Sequence, residues 1–424
     1  MREKAVHETR ERGGREGGES GTSRSGGDRP LRIGIDFHLA EREGTGNCTY
    51  IRNLTEALLS LDRRNEYFLY ITRPQLPYYK RFSLTPNVRL RPLGSGSAPL
   101  RLLLLGLKTY ADRLDVLHVQ YVAPPFFRGH LVVTVHDIAF IRLPGMFAAG
   151  QRLYLKYLVP RSLRRASQVL TISEFSRREI LSHYRLPSRR VSCTPLAAED
   201  RFKPADGRAR ASVDRKLKAL GAERPFLLFV GRIDPRKDIS GLIEAFGLLK
   251  KARALPHRLV IAGKKAYLSP ELRAGIARGE ADGQVLFTGF FPEELLPGLY
   301  SRAEVFVYPS LYEGFGLPLV EAMACGCPVV SVKASAVPEV VERAGLLVGP
   351  GAPRELADAI WRVVAGRKRR ADMVRRGLKQ AAKFRWEETA ARTLAAYGRA
   401  ARPGAGPRMN SEIRRSDCRV IASP

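Results

Sequence analysis

Cysteine is scarce in this 424-residue sequence, with five residues at Cys48, Cys193, Cys325, Cys327 and Cys418. None forms a Cys-x-x-Cys pair and no histidine cluster accompanies them, which argues against metal binding and against a disulfide framework and fits a reducing cytoplasm. Cys325-Gly-Cys327 falls where a helix end runs into a strand, and reads as small buried side chains. Long apolar runs are missing as well. The longest aliphatic run, Leu102 to Leu105, is far short of the ~20 residues a membrane span needs. The N-terminus lacks the apolar core of a signal peptide. There is no Asp-x-Asp carboxylate pair to hold a metal ion, and no cofactor is called for. Acidic residues are few: 42 Asp and Glu stand against 72 Lys and Arg, a formal charge of +30. Nucleic acid, an anionic membrane surface or a phosphorylated small molecule would each suit such a charge, and so would a GC-rich genome that favours arginine. No nucleic-acid-binding module or arginine–aromatic interleaving is present, so nucleic acid is not the expected partner.

What is present is ample core material, 44% hydrophobic, in a length that suits two ordinary domains. Strand and helix patterns alternate, which predicts an α/β architecture. Residues 1–30 and 402–424 are Gly-, Arg- and Pro-rich and read as a disordered extension and tail. A first domain over 31–203 opens on the apolar run Leu31 to Asp36. Strands are expected at Tyr67–Ile71, Asp115–Val119, Leu131–Val135, Gln168–Ile172 and Val191–Thr194. Ser173 is expected to cap a helix over Glu174–Tyr184. The polar stretch 204–224 reads as a linker. A second domain over 225–385 follows the same plan, with strands at Phe226–Val230, Leu259–Ala262, Val285–Thr288, Val305–Tyr308 and Pro328–Val332. From Pro353 to Ala401 the sequence reads as helical throughout. Two parallel sheets flanked by helices, facing each other, would line a central cleft with their strand carboxyl ends.

Two motifs fall at such ends. Gly231-Arg-Ile-Asp-Pro-Arg-Lys-Asp238 follows a strand and precedes a helix. Arg232 and Lys237 there are fixed cations beside backbone N–H groups, which suits a diphosphate; standing alone, the segment would read as a solvated basic loop. Glu313-Gly-Phe-Gly-Leu-Pro-Leu-Val-Glu321 follows the strand at Val305–Tyr308. Pro318 and Gly326 bracket a short helix, Gly314 and Gly316 let backbone approach a ligand, and the Gly316 and Leu317 amides would face an anion. Glu313 and Glu321 are poor phosphate ligands but good acceptors for sugar and ribose hydroxyls. A charge favourable near a helix start, or a tight glycine turn, would account for single members of this set but not for all of them together.

The Glu pair with seven residues between, together with Gly231, Arg232 and Lys237, resembles retaining glycosyltransferase family 4, whose architecture is GT-B, two Rossmann-like domains around a cleft. The resemblance covers Leu31 to about Ala400 and points to mannosyltransferase-like members. It implies that Arg232 and Lys237 neutralise the donor diphosphate. It implies that Glu313, with Gly314, Phe315 and Gly316, holds the donor hexose, that Leu317 begins the anion-facing helix, and that Glu321 grips the ribose. In the first half Ile35-Asp-Phe-His38 and Gly44-Thr-Gly-Asn47 resemble the family's first strand and acceptor-side loop, which places Gly46 and Asn47 beside the acceptor. Gly44-x-Gly46-x-x-Thr49 is a near miss for a dinucleotide fingerprint, and NAD is not expected. Val133-Thr-Val-His-Asp137 would bring His136 to the donor sugar. Helix 386–401 would cross back to the first domain. Asp238, and Ala197-Ala-Glu199, depart from the usual pattern and bear on donor choice.

The resemblance implies transfer of a hexose from a nucleotide sugar, GDP-mannose being favoured, to a glycan or polyprenyl-linked acceptor in cell-surface polysaccharide synthesis. A UDP-glucose-type donor, or a non-catalytic sugar-nucleotide binder, is the alternative. Arg101-Leu-Leu-Leu-Leu-Gly-Leu-Lys108, with Arg161, Arg164 and Arg165, reads equally as a core helix with solvated arginines or as a peripheral contact with anionic lipid at the inner membrane face.

Overall fold

The computed structural model describes residues 29–402 apart from 83, 95–96, 266–267 and 282. Cys418 and nearly all of the two terminal segments lie outside the described residues. The first half folds around strands β1 (Arg32–Asp36), β2 (Glu66–Ile71), β3 (Val88–Pro92), β4 (Val116–Gln120), β5 (His130–Thr134), β6 (Gln168–Thr171) and β7 (Val191–Cys193). They pair in parallel in the order β3-β2-β1-β4-β5-β6-β7. The second half holds β8 (Phe226–Val230), β9 (Arg258–Ala262), β10 (Val285–Gly289), β11 (Val305–Tyr308), β12 (Val329–Val332) and β13 (Leu346–Val348). These are also parallel, in the order β10-β9-β8-β11-β12-β13.

The central strands are buried on both faces because helices cover both sides of a parallel sheet, and this is why they read as unbroken apolar runs. The edge strands β3 and β13 were not legible in that way. β3 is Val-Arg-Leu-Arg-Pro with no fully buried residue, and β13 is three half-buried residues. In each sheet the order reverses between the first and fourth strands, β1/β4 and β8/β11. Crevices beyond the carboxyl ends at such points are where open α/β sheets bind ligands.

The stretch read as a linker contains the helix Gly207–Ala219. Its apolar face is narrow, which is why its composition suggested a linker: Leu217 is buried, Val213 packs against Gly298, and Asp214 holds Arg302 in a two-point bond of 2.7 Å each. The region from Pro353 forms three helices, Pro353–Val364, Arg367–Ala381 and Trp386–Ala401. The last packs on helix Gly46–Leu61 and on the first sheet. There Tyr397 Oη lies 2.7 Å from His118 Nδ1, and Arg399 donates to Ser192 Oγ at 2.9 Å.

Candidate active site

The loop leaving β8 is shaped by two glycines. Gly231 has φ +150° and Gly263, after β9, has φ +157°; a Cβ on Gly263 would stand 1.8 Å from the Gly231 carbonyl oxygen. The two loop bases therefore touch backbone to backbone. Asp234 is buried, caps the single turn Pro235–Lys237 by accepting from Arg236 N at 3.1 Å, and accepts from the Arg236 guanidinium at 3.0 Å. Burial works against the Arg236 charge, but the Asp234 carboxylate overrides it and raises its pKa above the ordinary value. Asp238 follows at φ +47° and accepts from Gly241 N at 3.1 Å, so it is the N-cap of helix Ile239–Ala252. A left-handed cap suits Asn, Gly or Asp, which accounts for the departure at this position.

This turn drives Lys237 inward. Its Nζ donates to Tyr308 Oη at 2.7 Å and to the Glu313 carboxylate. Glu313 is held through one carboxylate oxygen and its backbone: Tyr308 Oη donates to that oxygen at 3.0 Å, Ser310 Oγ donates to it as well, and the Glu313 amide donates to Ser335 Oγ at 2.7 Å. Gly316, with φ +95°, then begins helix Leu317–Ala324. The two motifs thus meet at the β8/β11 crevice, as a buried ammonium–carboxylate pair in a polar cage beside a helix N-terminus.

Across the cleft, His136 follows β5. Its Nε2 lies 2.7 Å from Gln120 Oε1, and its ring stands edge-on to Tyr50 at 4.7 Å. Burial pulls its pKa down to about 3, so the imidazole is neutral at physiological pH. The halves touch here. A Cβ on Gly314 would lie 2.9 Å from Asp137 Oδ2 and 3.0 Å from the His136 carbonyl. Ser176 Oγ donates to the Gly314 carbonyl at 3.3 Å, and the Glu339 carboxylate accepts from Glu174 N and Phe175 N at 2.9 Å each. Ser173 caps helix Glu174–Tyr184 by accepting from Ser176 N at 2.9 Å.

Gly314→Ala is therefore expected to push the 310–316 loop off the His136–Asp137 turn. We expect a loss of about ten-fold in kcat/KM, about 1.4 kcal/mol, together with a lower Tm, since overpacking costs on the order of 1–3 kcal/mol of stability. Steady-state kinetics and a melt check this, and an unaltered kcat/KM would rule out a need for that contact.

The structure brings Lys237, Glu313, Gly314 and His136 together. Arg232 stands apart: its side chain is 55% exposed and its nearest charge is Asp234 at 3.4 Å. Phe315 is a packing residue, edge-on to Phe384 at 5.3 Å, and Leu317 is buried. Glu321 accepts from Tyr300 Oη at 2.9 Å, and burial pushes its carboxyl up to about 7. Gly46 and Asn47 form the first turn of helix Gly46–Leu61, and the space over Gly46 is open. Sequence reasoning missed Asp234, Arg236, Tyr308, Ser310 and Ser335. The first two lie inside the basic motif itself. Ser335, the most remote, is marked only by its left-handed φ of +51°. Among the described residues no group of three or more His, Cys, Asp or Glu is placed to hold a metal ion.

Two parallel-sheet domains whose strand carboxyl ends meet around such a pair define a GT-B glycosyltransferase. The profile described as Glycosyl transferases group 1 matches residues 212–380, and that of Glycosyltransferase Family 4 matches 46–198. The chain is 34% identical over 303 residues to the O-antigen chain mannosyltransferase B of Escherichia coli, an alignment covering 69% of this chain and 75% of that protein. The sucrose-phosphate synthase of Thermosynechococcus elongatus superposes with a TM-score of 0.71 at 22% identity, covering 87% of this chain and 98% of that one. Anabaena Alr3699/HepE, solved in complex with UDP-glucose, gives 0.67 at 18% identity, covering 86% and 100%. The chain belongs to glycosyltransferase family 4.

Proposed function

We infer that the chain transfers a hexose with retention of configuration from a nucleotide sugar, and that the donor is GDP-mannose. The observation that carries the reading is Lys237, a buried cation fixed at the β8/β11 crevice. The similarity to a mannosyltransferase favours the sugar. The acceptor is proposed to be a glycan or polyprenyl-linked sugar in cell-surface polysaccharide synthesis. The described cysteines are unpaired thiols, which suits work on the cytoplasmic side.

As the bond from the anomeric carbon to the diphosphate breaks, negative charge gathers on the leaving oxygen. Lys237 and the amides at Leu317 stabilise it, with Arg232 free to swing in from the rim. The acceptor hydroxyl attacks the same face and its proton passes to the departing diphosphate. Lys237, Tyr308 and Ser310 all bind one oxygen of Glu313, Oε1, which fixes the carboxylate and leaves Oε2 to accept from a hydroxyl of the donor hexose, so Glu313 serves to orient rather than to form a covalent intermediate. Neutral His136 offers hydrogen bonding, not charge, to the sugar.

A panel of labelled GDP-mannose, UDP-glucose and other nucleotide sugars tests the assignment. Transfer or hydrolysis with GDP-mannose above the others is expected. Preference for a uridine donor overturns the donor choice, and tight binding without turnover overturns the activity.

A further inference from the structure

β4 ends on Gln120, which pairs with Thr134 of β5 and stands beside the β1/β4 crevice. No function above uses it. His118 and Gln120, two residues apart on one strand, point to the same face, and that face is a buried polar strip. His118 is bound through both ring nitrogens, to Tyr397 Oη and to Thr134 Oγ1, at 2.7 Å each. Thr134 Oγ1 also lies 2.9 Å from Tyr50 Oη, and the Tyr50 ring packs edge-on against His136. At the end of β1, Asp36 is bound by His38 at 2.8 Å and by Arg101 at 2.6 Å. Each of these side chains finds its partner within the protein. Gln120 finds only half of its own. Its Oε1 meets His136 Nε2 at 2.7 Å, but its Nε2 has no hydrogen-bond partner among the described residues, although the residue is only 5% exposed. A buried amide N–H left unpaired is a rare feature of native folds and has a cause where it occurs.

The backbone holds this amide in place under strain. Tyr121 has φ +63°, and across it Val122 N donates to the Gln120 carbonyl at 2.8 Å. A left-handed residue at the centre of a three-residue turn is the strained form of that turn, and a bulky side chain is an uncommon occupant. The turn carries the Tyr121 ring to 5.7 Å from the His136 ring. His136 is constrained in turn. Burial keeps its ring neutral, so only one ring nitrogen carries a proton. An amide carbonyl oxygen can only accept, so Nε2 is the protonated nitrogen and Nδ1 is a bare acceptor.

We propose that Gln120 is a sugar-reading residue: its Oε1 fixes His136 as the Nε2–H tautomer, and its Nε2–H donates to a hydroxyl oxygen of the transferred hexose, next to His136 Nδ1, which accepts from the same sugar. This rests on the reading of the cleft as a glycosyl-donor site. The two side chains then offer one donor and one acceptor, which suits hydroxyls, since each of those both gives and takes a hydrogen bond. A phosphate suits them less, because its oxygens would meet the Nδ1 lone pair with lone pairs of their own. A buried site built to bond a hydroxyl rejects a sugar that lacks it, because the site's own groups are then left unpaired. Gln120 is thereby a determinant of which hexose is transferred.

Two measurements test this, and the first needs no donor. Nitrogen-15 NMR of the full chain, labelled at its seven histidines and with His136 assigned by the signal lost in His136→Ala, is expected to show the Nε2–H tautomer. In Q120M the tautomer is expected to move toward a mixture. The Nδ1–H tautomer in the parent overturns the proposal, because the Gln120 N–H would then be taken up by His136. The second measurement uses whichever nucleotide sugar the enzyme turns over. Q120E keeps an acceptor for His136 Nε2–H but lacks the amide N–H, and Q120M lacks both. kcat/KM is expected to fall about ten-fold in Q120E and further in Q120M. With donors from which one hexose hydroxyl at a time has been removed, the gap between parent and Q120E is expected to close at one position and to persist at the others. A gap that persists at every position overturns the proposal, and so does a loss of nucleoside diphosphate affinity in both variants, which would mark Gln120 as structural. A parent that has the Nε2–H tautomer but turns over no nucleotide sugar overturns the activity, and with it the sugar as occupant; a persistent gap in an active enzyme overturns the role of Gln120 alone.

Discussion

Lys237→Ala is expected to lower kcat/KM by roughly 10²–10³, about 2.7–4 kcal/mol of transition-state stabilisation. The size follows from where the ammonium sits. The Lys237 and Glu313 side chains are only 9% and 13% exposed, so the charge acts where water screens it little. The same burial means that removing one partner strands the other. An uncompensated buried carboxylate costs about 3–5 kcal/mol of folding stability, so Lys237→Ala is expected to melt earlier as well. The two losses separate in a double variant. Lys237→Met with Glu313→Gln removes both charges and leaves Tyr308 and Ser310 their hydrogen-bond partner at residue 313. Its Tm is expected to return toward that of the parent while its kcat/KM stays low. Recovery of activity together with stability would show that Lys237 is a structural cation and would remove it from the chemistry.

Much of this site was legible because its chemistry is local. Gly231 to Asp238 and Glu313 to Glu321 are continuous segments, each leaving a strand whose apolar run is unmistakable, so their meeting at one crevice follows from parallel sheet order. What stayed hidden depends on distant pairing or on a side chain's direction. Arg232 and Arg236 are equivalent as letters, but Asp234 turns the second inward and leaves the first on the rim. Ser335 reaches Glu313 from the loop after β12, 22 residues away, and no pattern announces that. Helix 207–219 and strand β3 were missed for a related reason. Each has a narrow apolar face under a charged surface, and periodicity is weak when little of an element is buried. Arg101 shows the limit most plainly: from the sequence it is the basic end of an apolar helix, and in the fold it is the ion-pair partner of a fully buried aspartate.

Glu321→Gln is expected to stabilise the unliganded protein above neutral pH while weakening donor binding. Burial raises the Glu321 carboxyl from 4.5 to about 7, with Tyr300 Oη the donor that moderates the shift. A carboxyl whose pKa is raised by folding binds its proton more tightly in the native state. Its favourable contribution is complete below the unfolded pKa and is lost as pH rises through about 7. Between pH 4 and 8 the loss is on the order of 3 kcal/mol, so the Gln variant is expected to melt higher than the parent at pH 8 and to converge with it near pH 4. Donor binding has the opposite dependence. On the proposed reading the ribose hydroxyls donate to the ionised carboxylate, which compensates the desolvation that destabilises the empty site. The parent's donor KM is then expected to rise roughly ten-fold from pH 8 to pH 6, as the ionised fraction falls about ten-fold around a pKa near 7. His136 adds no limb in that range, since burial keeps it neutral down to about 3. In Glu321→Gln, KM is expected to be higher at pH 8 and flat across the same interval. Thermal melts and donor KM across pH 5–8 check both halves, and a Gln variant that kept the parent's pH-dependent KM would assign the ribose contact to another residue.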